Sequence, residues 1–175
     1  MKQFVALAFL VSLTAACDNF PNGTATALHW FDSGEGPIRT TSLALQHPDG
    51  SLNYPVNLAK PLYIAQSELN EGTKTYEKVL LDVGIYEFGG LLGCSWHKLP
   101  DFGLLSNLDG CDLSKACPIK PGATSFDQPL DMSQFQPVVG LLSPTKAYML
   151  TFQQKDAATG THIGYSAIQF KITKN

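Results

Sequence analysis

The sequence predicts an all-β protein, an immunoglobulin-like β-sandwich of about seven strands. Segments rich in β-branched and aromatic residues recur along the chain, and Gly, Pro, Asn and Asp separate them. No segment has the spacing of a long amphipathic helix, and there is no internal repeat. The strand candidates are residues 38–46, 61–69, 76–88, 146–154 and 162–173.

Two of these segments alternate between apolar and polar residues, which is the period of a strand with one buried face. The polar side holds Lys78 and Asp82 in residues 76–88, and Gln169 and Lys171 in the last segment. We expect the opposite faces to point into the sandwich. Their apolar residues are Val79, Leu81, Val83 and Ile85 in the first segment and Ile168, Phe170 and Ile172 in the second.

Three turn signals predict hairpins between the strands. They are Pro48-Asp49-Gly50, Asn70-Glu71-Gly72 and Ala158-Thr159-Gly160. Each combines residues that favour tight turns with a neighbouring strand candidate, so we expect the flanking strands to pair.

Residues 1–16 have the features of a secretory signal peptide. Lys2 supplies a positive charge, residues 4–13 are almost entirely apolar, and small residues precede Cys17. The apolar run is too short to span a bilayer. An alternative is a bacterial lipoprotein signal that attaches a lipid to Cys17, although Thr14 stands where such signals usually have Leu. The first interpretation predicts a secreted protein or one of the lysosomal lumen.

Removal of the leader leaves a chain long enough for one domain with a core. We expect a mobile polar segment over residues 17–27 and the sandwich over residues 28–175. The sequon Asn22-Gly23-Thr24 predicts glycosylation of Asn22. The full chain has a net charge of −3 and no basic run longer than two residues, so we expect no nucleic-acid partner.

The cysteines favour a disulfide-linked corner. Five residues separate Cys111 from Cys117, and a turn signal follows at Pro121-Gly122. In an oxidising compartment this spacing predicts a disulfide between the two cysteines. Cys94 is then either buried or paired with a partner that the sequence does not identify, and Cys17 lies at the cleavage point.

Residues 88–108 break the strand pattern, because they are strongly apolar without alternation and contain four glycines. Loops usually face water, so an apolar loop needs an explanation. One explanation is a loop folded over the core as a satellite hydrophobic cluster. The other is the rim of a ligand cavity or a patch that enters a membrane surface. The candidate contacts are Trp96, Leu99, Phe102, Leu104 and Leu105, of which Trp96, Phe102 and Leu105 are predicted to contact lipid or membrane.

Three segments resemble the ML lipid-recognition domain family, most of all its ganglioside-activator and Niemann–Pick-type lipid carriers. The run Cys117-Pro118-Ile119-Lys120-Pro121-Gly122 is similar to the corner that this family carries after a C-x5-C disulfide. Residues 29–43 are similar to its opening strand, with an aromatic, an acidic-glycine turn and an Ile-Arg run. Residues 164–172 are similar to its last strand. The resemblance extends over roughly residues 28–173.

The resemblance implies two sheets that splay apart and hold lipid chains between them, with the head group near the loops at one end. Such proteins lift a lipid from a membrane and present it to an enzyme or to another membrane. This chain departs from the family at Ser33 and Tyr165, where a second disulfide usually joins the first and last strands. The residues predicted to contact lipid are Val83, Ile85, Phe88, Leu91, Leu92, Trp96, Phe102, Leu104, Leu105, Phe152, Ile168 and Phe170.

The usual enzyme motifs are absent from the sequence, and we expect no cofactor and no metal. Asp32 and Glu35 are close enough in sequence to be a carboxylate pair, but an acidic turn is the simpler account. A zinc site from Cys94, His97 and the two corner cysteines competes with the disulfide. The histidines are either ordinary surface or edge residues, or a group whose protonation cancels the net negative charge and reduces repulsion from anionic lipid. They are His29, His47, His97 and His162.

These observations predict a lipid-binding and transfer protein that is not itself an enzyme. Its predicted partners are a lipid (a glycolipid, phospholipid or sterol), a membrane surface in transient contact, and a lipid hydrolase that it assists. The alternative is an extracellular recognition protein that binds a protein partner through the sandwich surface and takes no lipid. Lipid that co-purifies with the protein would favour the first function.

Overall fold

A computed structural model describes residues 18–52, 54–89, 93–130 and 136–174. The strands are β1 (His29–Asp32), β2 (Ile38–Gln46), β3 (Val56–Asn57), β4 (Leu62–Asn70), β5 (Val79–Phe88), β6 (Trp96–Lys98), β7 (Leu108–Asp109), β8 (Gly122–Leu130), β9 (Ala147–Asp156) and β10 (His162–Thr173). The helices are a 3-10 turn (Pro21–Gly23), α1 (Gly110–Ser114) and α2 (Gln136–Leu141). None of the helices in these described ranges is long and apolar enough to cross a membrane. The predicted leader, Cys17, Leu91 and Leu92 lie outside the described residues.

The strands form two sheets that enclose a shared core, which confirms the predicted β-sandwich. The larger sheet has the order β1-β10-β9-β5-β6, with β3 also beside β10 and β7 also beside β5. The smaller sheet has the order β2-β4-β8. The pairing is antiparallel except between β3 and β10. The five predicted strand segments correspond to β2, β4, β5, β9 and β10.

The predicted alternation places the expected side chains inside the sandwich. On β5, Val79, Leu81 and Ile85 are buried and Val83 is half-buried. On β10, the three predicted apolar residues are all buried, and so are Leu150 and Tyr148, the β9 partners of Ile168 and Phe170. The interior contains two apolar clusters at opposite ends. One surrounds Leu62 and Tyr148, and the other surrounds Ile38 and Val79.

The sequence does not predict β8, which covers residues 122–130. Its residues include Gly122, Pro129 and Asp127, which are depleted in strands, so the segment is a weak signal for one. Among the described strands β8 pairs only with β4, so it lies at the edge of its sheet. A proline is tolerated there because one row of backbone groups needs no ladder partner. The pairing with β4, and not the composition of β8, makes this segment a strand.

One of the three predicted hairpins forms as expected. Residues 158–160 turn the chain between β9 and β10, where the Gly160 amide donates to the Asp156 carbonyl at 2.8 Å. Residues 70–72 instead connect β4 in the smaller sheet to β5 in the larger one, so this hairpin prediction is wrong. Residues 48–50 make a local turn, but β2 and β4 are joined by the longer connection 47–61 that contains β3.

The segment expected to be mobile, residues 17–27, is described from residue 18 and packs on the outer face of β10. The Asn22 side chain donates to Gln169 Oε1 at 2.7 Å, and Thr24 is fully buried. Gln169 is therefore buried, although strand alternation predicts that it faces water. Asn22 itself is exposed, and its glycosylation stays a prediction. The Tyr54 hydroxyl fastens the segment to the strand, because it donates to the Thr24 carbonyl and accepts from the Lys171 amide.

The predicted disulfide between Cys111 and Cys117 is present, with a Cα–Cα distance of 5.1 Å. It closes the end of the sandwich where the second apolar cluster lies. Asp109 caps the N-terminus of α1, because its carboxylate accepts from the Cys111 and Asp112 amides. Cys94 is exposed rather than buried, and it is not a free thiol.

Candidate functional site: a cavity between the sheets

An apolar cavity of about 150 Å³ lies between the two sheets, at the end away from the disulfide. Side chains of both sheets and of the segments that connect them form its wall. Among the described residues that line it, only Gln128 and Tyr148 have polar side chains. The lining residues are Leu45, Val56, Leu58, Leu62, Ile64, Val83, Ile85, Leu105, Leu108, Leu113, Gln128, Pro129, Leu130, Leu142, Tyr148, Leu150, Phe152 and Phe170.

The segment from β6 to α1 closes the cavity on the side where the edges of β5 and β8 face each other. Two backbone hydrogen bonds hold this segment against β5. The Leu99 amide donates to the Ile85 carbonyl and the Val83 amide donates to the Leu105 carbonyl, each at 2.8 Å. Leu105 and Leu113 then point into the cavity wall. This segment is the satellite cluster that one interpretation of the apolar loop predicts.

Among the described residues predicted to contact lipid, five line the cavity and the other five do not. Phe88 and Ile168 are buried in the core but are not part of the wall. Trp96 is half-buried, with its ring edge-on to Phe88 at 5.1 Å between centroids. Leu91 and Leu92 lie outside the described residues. The five lining residues are Val83, Ile85, Leu105, Phe152 and Phe170.

The sequence prediction did not include much of the cavity wall, namely the lining residues of the smaller sheet and two residues of β9. The residues of β2 and β4 that line it lie on the buried faces of strands that were themselves predicted. Every second residue of β4 is buried, so period-two alternation would have found Leu62 and Ile64. Leu142 carries no such signal, because it follows a short helix.

The turn at residues 101–105 divides the side chains that were predicted to contact a membrane. Phe102 is 70% exposed and Leu104 is 48% exposed, whereas Leu105 is only 4% exposed. Leu105 belongs to the cavity wall, so of its predicted contacts a membrane surface is excluded, and contact with lipid stays a prediction. Phe102 adopts a left-handed backbone conformation (φ +52°), and Asp101 Oδ1 accepts from the Gly103 amide at 3.0 Å. The turn thereby places Phe102 outside and Leu105 inside.

A layer of polar side chains separates the cavity from the apolar cluster at the disulfide end. Glu68 is 1% exposed, and its Oε1 accepts hydrogen bonds from Gln66 Nε2 at 2.6 Å and from Gln154 Nε2. These residues line a second, smaller cavity of about 20 Å³. Gln128 and Phe152 line both cavities, so the two compartments are neighbours.

The environment of Glu68 favours its neutral form. Burial raises the pKa of Glu68 from 4.5 to about 7, because the charged form loses its hydration. Hydrogen bonds from Gln154 and Gln66 oppose this rise, and the nearby Asp32 carboxylate adds to it. Glu68 is thus a buried carboxyl that changes its charge near neutral pH.

The hydroxyl of Tyr148 is satisfied by groups at one end of the cavity. It accepts from the Ser143 amide at 2.5 Å and donates to Glu87 Oε2 at 3.3 Å. Burial raises the pKa of Tyr148 to about 12, and the Glu87 charge contributes. Tyr148 therefore offers the cavity mainly its ring.

The carboxylate pair and the zinc site that the sequence offered as alternatives do not form among the described residues. Asp32 pairs with Arg39 at 2.6 Å and accepts from the Gly34 and Thr40 amides, so it stabilises a turn, while Glu35 is exposed. The disulfide occupies two of the four proposed zinc ligands. No group of three or more metal-binding side chains occurs among the described residues.

The histidines are dispersed through the structure and do not form one cluster. His47 is buried, which differs from the expected surface position, and its Nδ1 donates to the Pro61 carbonyl at 3.0 Å. His97 and His162 bond to Ser95 and to the Gly164 carbonyl. Collective protonation therefore stays a prediction about net charge and not about a shared site.

The fold and the site together define a two-sheet β-sandwich with an apolar internal cavity. No family model matches this sequence, and no curated protein matches it. Among solved structures, the C-terminal domain of Wzt is 14% identical with a TM-score of 0.44, and the match covers 94% of this chain and 90% of that one. Chicken MD-1 complexed with lipid IVa is 12% identical with a TM-score of 0.37, over 83% of this chain and 97% of that one. Membership of the ML family therefore stays a prediction.

The two positions that lack the second disulfide of that family are adjacent in the structure. The Ser33 amide donates to the Tyr165 carbonyl at 3.1 Å, directly beyond the last paired residues of β1 and β10. A hydrogen bond between strands thus stands at the place where the resemblance puts a covalent link.

Proposed function

We propose that this protein binds lipid and holds an apolar part of it in the cavity between the sheets. The observation that supports this proposal is a void of about 150 Å³ with an almost entirely apolar wall. Protein interiors are normally close-packed, with few voids larger than a water molecule. A void of this kind suits a hydrocarbon ligand and gives water few partners.

The void is large enough to matter energetically. At about 24 cal/mol per Å³, an empty cavity of 150 Å³ costs about 4 kcal/mol of stability. An apolar group that fills it recovers that free energy and adds about 0.8 kcal/mol for each buried methylene. A cavity of about 150 Å³ accepts a ligand near the size of benzene, so a whole acyl chain requires the sheets to separate further.

We further propose that the turn at residues 101–105 contacts the membrane from which lipid is taken. Phe102 is a large apolar side chain in water, and it lies three residues before Leu105 in the cavity wall. Insertion of Phe102 would bring this wall to the membrane surface. On this proposal the protein is a carrier without its own enzymatic activity. It works outside the cell or in the lysosomal lumen and presents lipid to a hydrolase or to another membrane.

Organic extraction of the purified protein, followed by mass spectrometry of the extract, tests the proposal. We expect a bound lipid and at least tenfold less of it in Val83→Phe, since the larger ring fills the cavity from a half-buried position. Leu69→Phe is the matched control, because Leu69 is half-buried on β4 but does not line the cavity. Thermal unfolding establishes that both variants fold.

The result that would overturn lipid binding combines two observations. The extract would contain no lipid, and the delipidated protein would show no binding of benzene in a calorimetric titration. In that case the alternative function, recognition of a protein partner by the sandwich surface, would be favoured.

A further inference from the structure

The polar layer beside the cavity contains two buried oxygens without a hydrogen-bond partner. Within the described part of the chain, Glu68 Oε2 and Gln154 Oε1 are both shielded from solvent and unpaired. Leaving such a group unpaired usually costs about 1–3 kcal/mol. Both residues line the small cavity of about 20 Å³, which has room for one group the size of a water molecule.

The missing partner must be able to donate a hydrogen bond. Gln154 Oε1 is an acceptor in every state, and Glu68 Oε2 is an acceptor when the carboxyl is ionised and a donor when it is protonated. A hydroxyl can donate its one hydrogen to Gln154 Oε1 and accept from the protonated Oε2 of Glu68, so it satisfies both atoms when Glu68 is neutral. An ether or ester oxygen only accepts, and a carboxylate brings a second negative charge to a dry site.

We propose that the two cavities form one binding site for an uncharged lipid that ends in a hydroxyl, with the hydroxyl against Glu68 and Gln154 and the hydrocarbon in the larger cavity. This inference rests on the proposed lipid-binding function and specifies its ligand class. Phe152 and Gln128 line both cavities. On this proposal the carbon that carries the hydroxyl lies between these two side chains, at the boundary of the two cavities. Aliphatic alcohols are the chemical class that fits.

The experiment compares two small ligands of equal size with the full, delipidated protein. Hexan-1-ol and 1-methoxypentane have the same numbers of carbon and oxygen atoms, but only the alcohol donates a hydrogen bond. We expect calorimetric titration to give about tenfold tighter binding of the alcohol, which corresponds to one buried hydrogen bond.

Variants of the polar layer locate the hydroxyl. Glu68→Met removes both carboxylate oxygens, and Glu68→Gln keeps the shape while an amide replaces the carboxyl. Both should reduce the preference for the alcohol over the ether, measured in the same variant, to less than threefold. Ser166→Ala is the control, because Ser166 is buried on β10 and lines neither cavity, so the preference should persist there.

The outcomes separate this inference from the function on which it rests. If alcohol and ether bind equally well, the cavity binds apolar ligands but the small compartment holds only water, and the inference is overturned. If the preference for the alcohol survives in both Glu68 variants, the hydroxyl lies elsewhere and the inference is overturned as well. If neither ligand binds, it is the proposed lipid-binding function that fails.

Discussion

Replacing Glu68 by Gln should make the folded state more stable at neutral and alkaline pH. Burial raises the pKa of Glu68 from 4.5 in the unfolded chain to about 7 in the folded protein. The carboxyl therefore contributes stability that is fully present below pH 4.5 and is lost as the pH rises through 7. With about 1.4 kcal/mol for each pKa unit, the loss is about 3 kcal/mol.

Gln at position 68 has no charge to bury, so it avoids this loss. Its oxygen can still accept from Gln66 Nε2 and Gln154 Nε2. We expect the two proteins to be similar at pH 4 and Glu68→Gln to be about 3 kcal/mol more stable at pH 8.

Urea unfolding of both proteins at intervals from pH 4 to pH 8 measures the difference. Taking the difference between the two proteins cancels the contribution of the histidines, which titrate over part of the same range. Glu71→Gln, at an exposed position just after β4, is the control and should follow the natural protein. If the curve of Glu68→Gln also runs parallel to that of the natural protein, Glu68 is not a buried carboxyl that resists ionisation.

Three further changes test separate parts of the structure. Replacing Cys111 and Cys117 together by Ala should cost about 2 kcal/mol in urea unfolding, since the disulfide closes a short loop; an unchanged midpoint would contradict this. Phe102→Ser should weaken flotation with phosphatidylcholine vesicles without changing the melting temperature, because the side chain is exposed. Leu105→Ala should lower the free energy of unfolding by about 3 kcal/mol, because it enlarges the cavity. Equal effects of the two changes on stability would contradict the division at this turn. Gly36→Ala should lower the melting temperature, because the added Cβ would lie 2.3 Å from the Ile163 carbonyl and φ is +78°. Gly50→Ala is the control for the positive φ alone, because a Cβ at Gly50 has no atom within 4 Å.

The strands with a strong period-two pattern could be predicted from local sequence alone. On β5 and β10 the apolar residues alternate with polar ones, and a strand must turn successive side chains to opposite faces. The disulfide at Cys111 and Cys117 was also predictable, because a five-residue separation brings the two cysteines within bonding distance. In each case the cause lies within a few residues of its effect.

Tertiary packing decided the features that local sequence got wrong. Gln169 follows the polar positions of its strand, but residues 18–27 cover that face and supply Asn22 as a partner. The segment 122–130 has a poor strand composition, and it is a strand because β4 pairs with it. In the sequence Leu105 cannot be distinguished from its exposed apolar neighbours. In the structure its carbonyl accepts from the Val83 amide, and its side chain faces the cavity.

The sequence by itself determined that this chain is a β-sandwich with a stapled corner, because hydrophobic period, turn residues and cysteine spacing act over short distances. Only the tertiary structure decided that the sheets enclose a void of about 150 Å³ with Glu68 buried beside it. Alternation says which side chains point inward, but the space left between two sheets depends on how residues far apart in sequence pack across it. The ligand that this space accepts is therefore a property of the packing.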